Sequence, residues 1–234
     1  MTRLAIIPAR GGSKRIPKKN IKPFLGKPII AYSIEAALQS NLFDEVMVST
    51  DNTEIAEIAK KYGAKVPFLR SHKNANDFAT LADVIQEVLL EYKKKKQFFD
   101  QVCCILSTAA LITKEKLGEA HQKMIDNDFD SVFPIVEFSF PIQRSLKIIE
   151  NRVEITIKEH INTRSQDLES RYHDAGQFYW INTISFLDQK KILMSKTGGL
   201  IISELQAQDI DSDTDWKLAE LKYKLYLDEK NNTF

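Results

Sequence analysis

Hydrophobic and polar positions follow two rhythms along this chain. Leu4-Ala5-Ile6-Ile7 is a short apolar run of the kind a buried strand requires, and residues 45–49, 65–69, 101–106, 131–136 and 177–184 repeat it. Between these runs the apolar spacing lengthens to the helical period. Pro28 is placed to open a helix reaching about Gln39, with Ile30, Ile34, Ala37 and Leu38 on its apolar face. Asn52 and Thr53 offer an N-cap for a helix ending near Gly63. Residues 80–96 read as an amphipathic helix carrying Leu81, Val84, Ile85, Val88 and Leu89, and Thr113 is placed to cap a helix to about Asp126. Residues 213–227 close the chain as a helix with Trp216, Leu218, Ala219, Leu221 and Leu225 for packing.

Strands alternating with helices predict an α/β fold: a doubly wound, mostly parallel Rossmann-like sheet with right-handed crossovers. The rhythm breaks between Phe138 and Asp174, where no good helix is legible. There, residues 146–149 and 153–157 flank Glu150-Asn151-Arg152 and predict an antiparallel hairpin. The expectation is one domain over residues 1–234 with an inserted flap at about 138–174.

Composition narrows the function. The chain has 234 residues and net charge +1, which argues against a general nucleic-acid surface or a polybasic membrane surface. No apolar run is long enough to span a membrane, and the start does not read as a signal peptide. Cys103 and Cys104 are adjacent in a probable strand, so their side chains point to opposite faces; a reducing cytoplasm is expected. The four histidines show no zinc-ligand spacing and read mostly as surface residues.

The near-zero net charge hides a split. The first 34 residues hold eight basic side chains and no acid, leaving 25 basic and 32 acidic groups for the rest. Ala9-Arg10-Gly11-Gly12-Ser13-Lys14-Arg15 follows the first strand and so lies at its carboxyl end, where open α/β sheets bind ligands. Adjacent glycines let backbone N–H groups approach an anion, and Arg10, Lys14 and Arg15 add positive charge. The segment is neither a Walker loop nor a dinucleotide fingerprint. At the other end, Glu204, Asp209, Asp211, Asp213 and Asp215 stand without a compensating base. Asp209 and Asp211 are two apart, so both carboxylates face one side of an extended segment and suit Mg²⁺ held partly by phosphates. Asp213 and Asp215 suit the helix start, as a cap and a first-turn acid.

Residues 7–20 resemble the N-terminal motif of the cytidylyltransferases that activate nine-carbon acidic sugars, the CMP-sialic acid synthetase family. The resemblance spans nearly the whole chain: Arg70-Ser71 with Asn76-Asp77-Phe78-Ala79-Thr80 is similar to the family's nucleotide segment, and Asp209-Ile210-Asp211 to its metal motif. Phe68-Leu69-Arg70-Ser71, Pro141-Ile142-Gln143-Arg144, Arg164-Ser165-Gln166-Asp167-Leu168 and Tyr172-His173-Asp174-Ala175-Gly176-Gln177-Phe178-Tyr179 resemble the pseudaminic acid branch. One departure is visible. The family's Pro-rich turn after the fourth strand is here Leu106-Ser107-Thr108-Ala109-Ala110, without proline, which suggests a looser turn.

The resemblance implies a fold of the nucleotide-diphospho-sugar transferase type and CMP transfer from CTP to a nonulosonic acid, most closely pseudaminic acid. N-acetylneuraminic and legionaminic acids are the alternatives. It implies catalytic roles for Arg10, Lys14 and Asp211, and nucleotide contacts from Ala9, Arg10, Gly11, Gly12, Ser13, Lys14, Asn20, Arg70, Asp77 and Thr80. Gln143, Arg144, Arg164, Gln177 and Tyr179 are implied for the sugar, with Mg²⁺ on Asp209 and Asp211 and a homodimer formed partly through the flap. No side chain is identifiable as a general base. A metal-dependent glycosyltransferase and a non-catalytic nucleotide-binding protein are the competing classes, and pyrophosphate release from CTP separates them.

Overall fold

The computed structural model describes residues 1–231. Strand β1 (Arg3–Pro8) leads through a small hairpin, β2 (Pro23–Phe24) and β3 (Lys27–Pro28), into α1 (Ile30–Ser40). There follow β4 (Glu45–Ser49), α2 (Thr53–Lys61), α3 (Leu81–Lys94), β5 (Gln101–Ile105), α4 (Lys114–Asp126) and β6 (Ser131–Glu137). A hairpin of β7 (Leu146–Ile149) and β8 (Arg152–Ile155) precedes β9 (Tyr172–Asp174) and β10 (Phe178–Asn182). The chain ends with α5 (Thr183–Gln189), β11 (Thr197–Ile201) and α6 (Asp213–Asn231). One seven-stranded sheet runs in the order β11-β6-β10-β5-β1-β4, with β9 also paired to β6. β10 runs against both β5 and β6, and β9 against β6; the other five strands share one direction.

Strict alternation along the central strands makes the layers. Ala5, Ile7, Cys103, Ile105 and Trp180 face α1, α2 and α4, while Leu4, Ile6, Cys104, Tyr179 and Ile181 face α3 and α5. The two cysteines are buried, unpaired and on opposite faces, as the spacing predicts. Two expected caps form, Asn52 accepting from the Ile55 N–H and Thr113 from the Lys116 N–H, while Thr80, expected as the first helical residue, instead makes a full capping box with Asp83.

Several expectations are corrected. Residues 65–69 form no strand; only Lys65 makes a bridge, to Met47, and the chain then leaves the sheet edge. Pro28 does not open the helix, because it pairs with Pro23 in the β2–β3 hairpin, and α1 starts two residues later without a side-chain cap. The run at 177–184 ends early, since the Asn182 side chain accepts from the Ser185 N–H and starts α5. The last helix is capped by Ser212 rather than Asp213: its hydroxyl accepts from the Asp215 N–H at 3.2 Å, and Asp215 accepts back from the Ser212 N–H at 2.8 Å. His121 is half-buried rather than a free surface residue, for its ring lies 4.6 Å from that of Trp180 and its Nε2 is 2.8 Å from Gln101.

A third apolar cluster lies outside the two sheet layers. Ile16, Phe24, Ile29, Tyr32, Ala110, Ile210, Trp216 and Ala219 are buried together, with Trp216 edge-on to Phe24 at 5.6 Å. Trp216 is thus core packing. Trp216→Ala is expected to cost about 3–5 kcal/mol, read as a lower urea midpoint at unchanged slope. A loss below about 1 kcal/mol would mean that α6 docks without this cluster.

Candidate active site

The carboxyl ends of the parallel strands border a cleft of about 330 Å³. Its walls come from the segment after β1, from residues 70–84 around the start of α3, from the turn after β5, and from Asp209. Arg10, Ser13, Lys14, Asn20, Arg70, Asp77 and Thr80 all line it, so most of the expected nucleotide residues meet in one place.

The cations are held by acids. Asp77 bridges two of them, with one oxygen 2.7 Å from Arg10 Nη1 and the other 2.5 Å from Lys14 Nζ. Those bonds, that of Lys14 first, hold the exposed Asp77 carboxyl below the usual carboxylate range. Asp211 meets Arg15 Nη1 at 2.5 Å and Lys19 Nζ at 3.5 Å. Lys19 also donates to the Ile210 carbonyl at 2.7 Å, tying the basic segment to the acidic one. Ile210 is buried, so Asp209 and Asp211 both turn away from the core. Asp209 borders the cleft and has no ion pair among the described residues.

Buried polar groups set the backbone. Asn20 donates to the Arg10 carbonyl at 2.8 Å and accepts from Ser107 Oγ at 2.9 Å, which fastens the loop to the turn after β5. Arg70 is buried; its Nε donates to Ser49 Oγ at 3.0 Å and its Nη2 to the Ser49 carbonyl, and burial lowers its pKa.

Some residues lie elsewhere. Gly11 spends its N–H on Asp51 Oδ1 at 2.9 Å, and a Cβ there would come within 3.0 Å of Asn52. Its glycine therefore serves close packing on α2 rather than an anion, and neither Gly11 nor Gly12 lines the cleft. Ala9 is buried in the core below. On the flap side, Gln143 is buried and donates to the Glu169 carbonyl at 2.8 Å, with its own carbonyl oxygen unpartnered. Arg144 reaches Ser165 Oγ at 3.2 Å, and Arg164 pairs with Asp167 at 2.8 Å. The Gln177 amide donates to the Gln206 carbonyl. Tyr179 and Trp180 are both core, on opposite faces of β10. The Tyr179 hydroxyl donates to Asp174 Oδ2 at 2.8 Å, and burial, then the Asp174 charge, push it well above the usual tyrosine range.

Sequence reasoning passed over Asn74 and quoted Asn76, Ser107 and Thr108 in motifs without giving them a site role, yet all four line the cleft. The turn after β5 stays tight without its prolines: Ala109 N–H bonds the Leu106 carbonyl at 3.1 Å, and Ser33 Oγ donates to that same carbonyl at 2.8 Å. Among the described residues, no group of three or more His, Cys, Asp or Glu side chains gathers as a ready metal site.

A cytidylyltransferase family model matches residues 4–226. The chain is 43% identical over 226 residues to a pseudaminic acid cytidylyltransferase of Campylobacter jejuni, covering 96% of this chain and 97% of the relative. It is 33% identical over 220 residues to a CMP-N,N'-diacetyllegionaminic acid synthase of Legionella pneumophila, covering 93% and 94%. A solved CMP:2-keto-3-deoxy-manno-octonic acid synthetase, complexed with CTP, shares the fold with a TM-score of 0.69 at 17% identity, covering 97% of this chain and all of that one. With a sheet, a cationic cleft and a near full-length family match in agreement, this chain belongs to the cytidylyltransferase family.

Proposed function

We propose that this protein transfers CMP from CTP to the anomeric hydroxyl of pseudaminic acid, releasing pyrophosphate, as one domain with an inserted flap at about 138–174. The observation that carries the reading is the double bridge of Asp77 to Arg10 and Lys14 in a cleft that also takes in Arg70 and Thr80. Cations held by one exposed carboxylate are poised to exchange it for a phosphate chain. Arg10 and Lys14 neutralise charge growing on the leaving pyrophosphate, an effect worth roughly 10²–10³ in rate per preorganised partner. Ser13, Gly12, Gly11 and Ala9 shape the loop that carries them, and Asn20, Arg70, Asp77 and Thr80 surround the nucleoside. The identity to the Campylobacter jejuni relative supports the sugar assignment. Gln143, Arg144, Arg164 and Gln177 form the sugar side, where an arginine fork matches the sugar carboxylate, and Tyr179 acts there through Asp174 rather than by touching the sugar.

A divalent cation, taken here as Mg²⁺, fits the donor set: Asp209 offers hard carboxylate oxygens on the cleft wall without an ion pair among the described residues. Asp209 and Asp211 would hold it together with phosphate oxygens, and bound there it would offset negative charge on the phosphates. No described helix is long and apolar enough to cross a membrane, and the reading places the enzyme in the cytoplasm. A homodimer through the flap is supported by the exposed apolar side chains of the β7–β8 hairpin, Leu146, Ile148 and Val153.

Pyrophosphate release should be strongest with CTP and pseudaminic acid; strong preference for N-acetylneuraminic or legionaminic acid would overturn the sugar assignment. Asp77→Asn should bind inorganic tripolyphosphate about two- to fivefold more tightly by calorimetry, the scale of losing two weak, exposed ion pairs. Unchanged affinity would remove the exchange argument. Ile148→Asp should shift light-scattering mass from dimer to monomer; a dimer that persists places the interface elsewhere.

A further inference from the structure

The carboxylates around the cleft are nearly all engaged. Asp77 holds Arg10 and Lys14, Asp211 holds Arg15 and Lys19, Asp215 closes the capping box, and Asp51 accepts from Gly11. Asp174 differs. It is exposed, it has no ion pair among the described residues, and both its oxygens are fixed by neutral donors. Tyr179 Oη donates to one oxygen at 2.8 Å, and the Gly176 N–H to the other at 2.8 Å.

Backbone geometry puts this carboxylate at the ligand edge. β9 and β10 both pair with β6, but their registers do not continue into each other, because Gly176 and Gln177 bend out of the ladder after the Ala175 N–H bonds the Pro134 carbonyl. Gly176 makes that bend at φ +63°, in the left-handed region that glycine enters freely. β9 lies along Ile135, Val136 and Glu137, the carboxyl end of β6. The bend reaches the cleft on two sides. The Gln177 carbonyl accepts from the Leu106 N–H at 2.8 Å, on the turn that brings Ser107 and Thr108 to the cleft. A Cβ on Gly176 would stand 3.7 Å from the Asp209 side chain. Gly176 thus stands between the two carboxylates, with its N–H on Asp174 and its Cα toward the Asp209 side chain.

We propose that Asp174 accepts the proton of the sugar's anomeric hydroxyl and aims that oxygen at the α-phosphorus, with Tyr179 as the residue that positions it; this rests on the cytidylyl-transfer reading above. As the hydroxyl oxygen bonds to the α-phosphorus, its O–H bond breaks and the proton passes to Asp174. The bond from the α-phosphorus to the bridging oxygen breaks, and its electron pair leaves with pyrophosphate. Asp174 loses the proton to solvent after the products depart. A nucleotidyl group with a good leaving group demands orientation and a proton acceptor more than a strong base, so a carboxylate fixed by two donors suffices. Tyr179 keeps its proton and remains a donor throughout.

Pyrophosphate release by the full chain, with CTP and pseudaminic acid varied separately, tests this. Asp174→Asn keeps the size and is expected to lower kcat by about 10²–10³, with the KM for CTP and calorimetric CTP binding within about twofold. Tyr179→Phe is expected to lower kcat several-fold and to add nothing in the Asp174→Asn background, because both changes act through one group. A kcat within about threefold of the parent for Asp174→Asn, a loss confined to sugar KM, or lost CTP binding overturns the assignment. Additive losses in the double variant would reduce Tyr179 to packing. A parent chain that releases no pyrophosphate with any nonulosonic acid defeats the underlying reading instead.

Discussion

The burial of one small apolar cluster is the constraint on which the site depends. Ile16 belongs to the basic segment and Ile210 to the acidic one, nearly two hundred residues apart in the chain, yet both are buried with Phe24 and Trp216. Each buried side chain of this size contributes about 1.5–3 kcal/mol. That is ample to fix segments whose charged residues alone would be held only by exposed ion pairs. The cluster brings two poles of opposite charge together without asking their charges to do the assembling.

Charge can then serve binding. The cleft gathers Arg10, Lys14, Arg15, Lys19 and Arg70, and without an anion these would repel one another. Asp77 and Asp211 relieve that repulsion from opposite ends of the loop. Both acids are partly exposed, so their pairs are weak and can open when phosphate competes. Asn20 and Arg70 hold the backbone through neutral partners that phosphate does not displace.

Much of this was legible in the sequence where local chemistry decides structure. Asn52 and Thr113 cap helices because the cap is a contact three residues long. Charge segregation located the cleft. What was not legible depends on partners far away in the chain. The apolar residues 65–69 resemble a strand, but pairing stops after Lys65. β11 escaped notice because its glycines give no apolar rhythm; Gly198 and Gly199 are needed where Phe129 and Ile135 press against the backbone. Gly11 looked like an anion nest, yet only the fold shows Asp51 at its N–H. Tyr179 looked like a sugar contact, whereas its hydroxyl is committed to Asp174.

The reversed direction of β9 and β10 has a consequence for how acceptor preference can change over evolutionary time. The chain leaves the sheet at Glu137 and re-enters at Tyr172, and those two residues are themselves a register pair, with the Phe138 N–H bonded to the Arg171 carbonyl at 2.9 Å just outside. The excursion between them is therefore a loop with clamped ends. Doubling the length of such a loop adds only about 0.6 kcal/mol of closure cost. On the reading proposed above, drift in that stretch remodels what meets the incoming sugar while leaving the nucleotide side, and the stability of the sheet, almost untouched. Selection on the acceptor and selection on folding are in this way nearly independent.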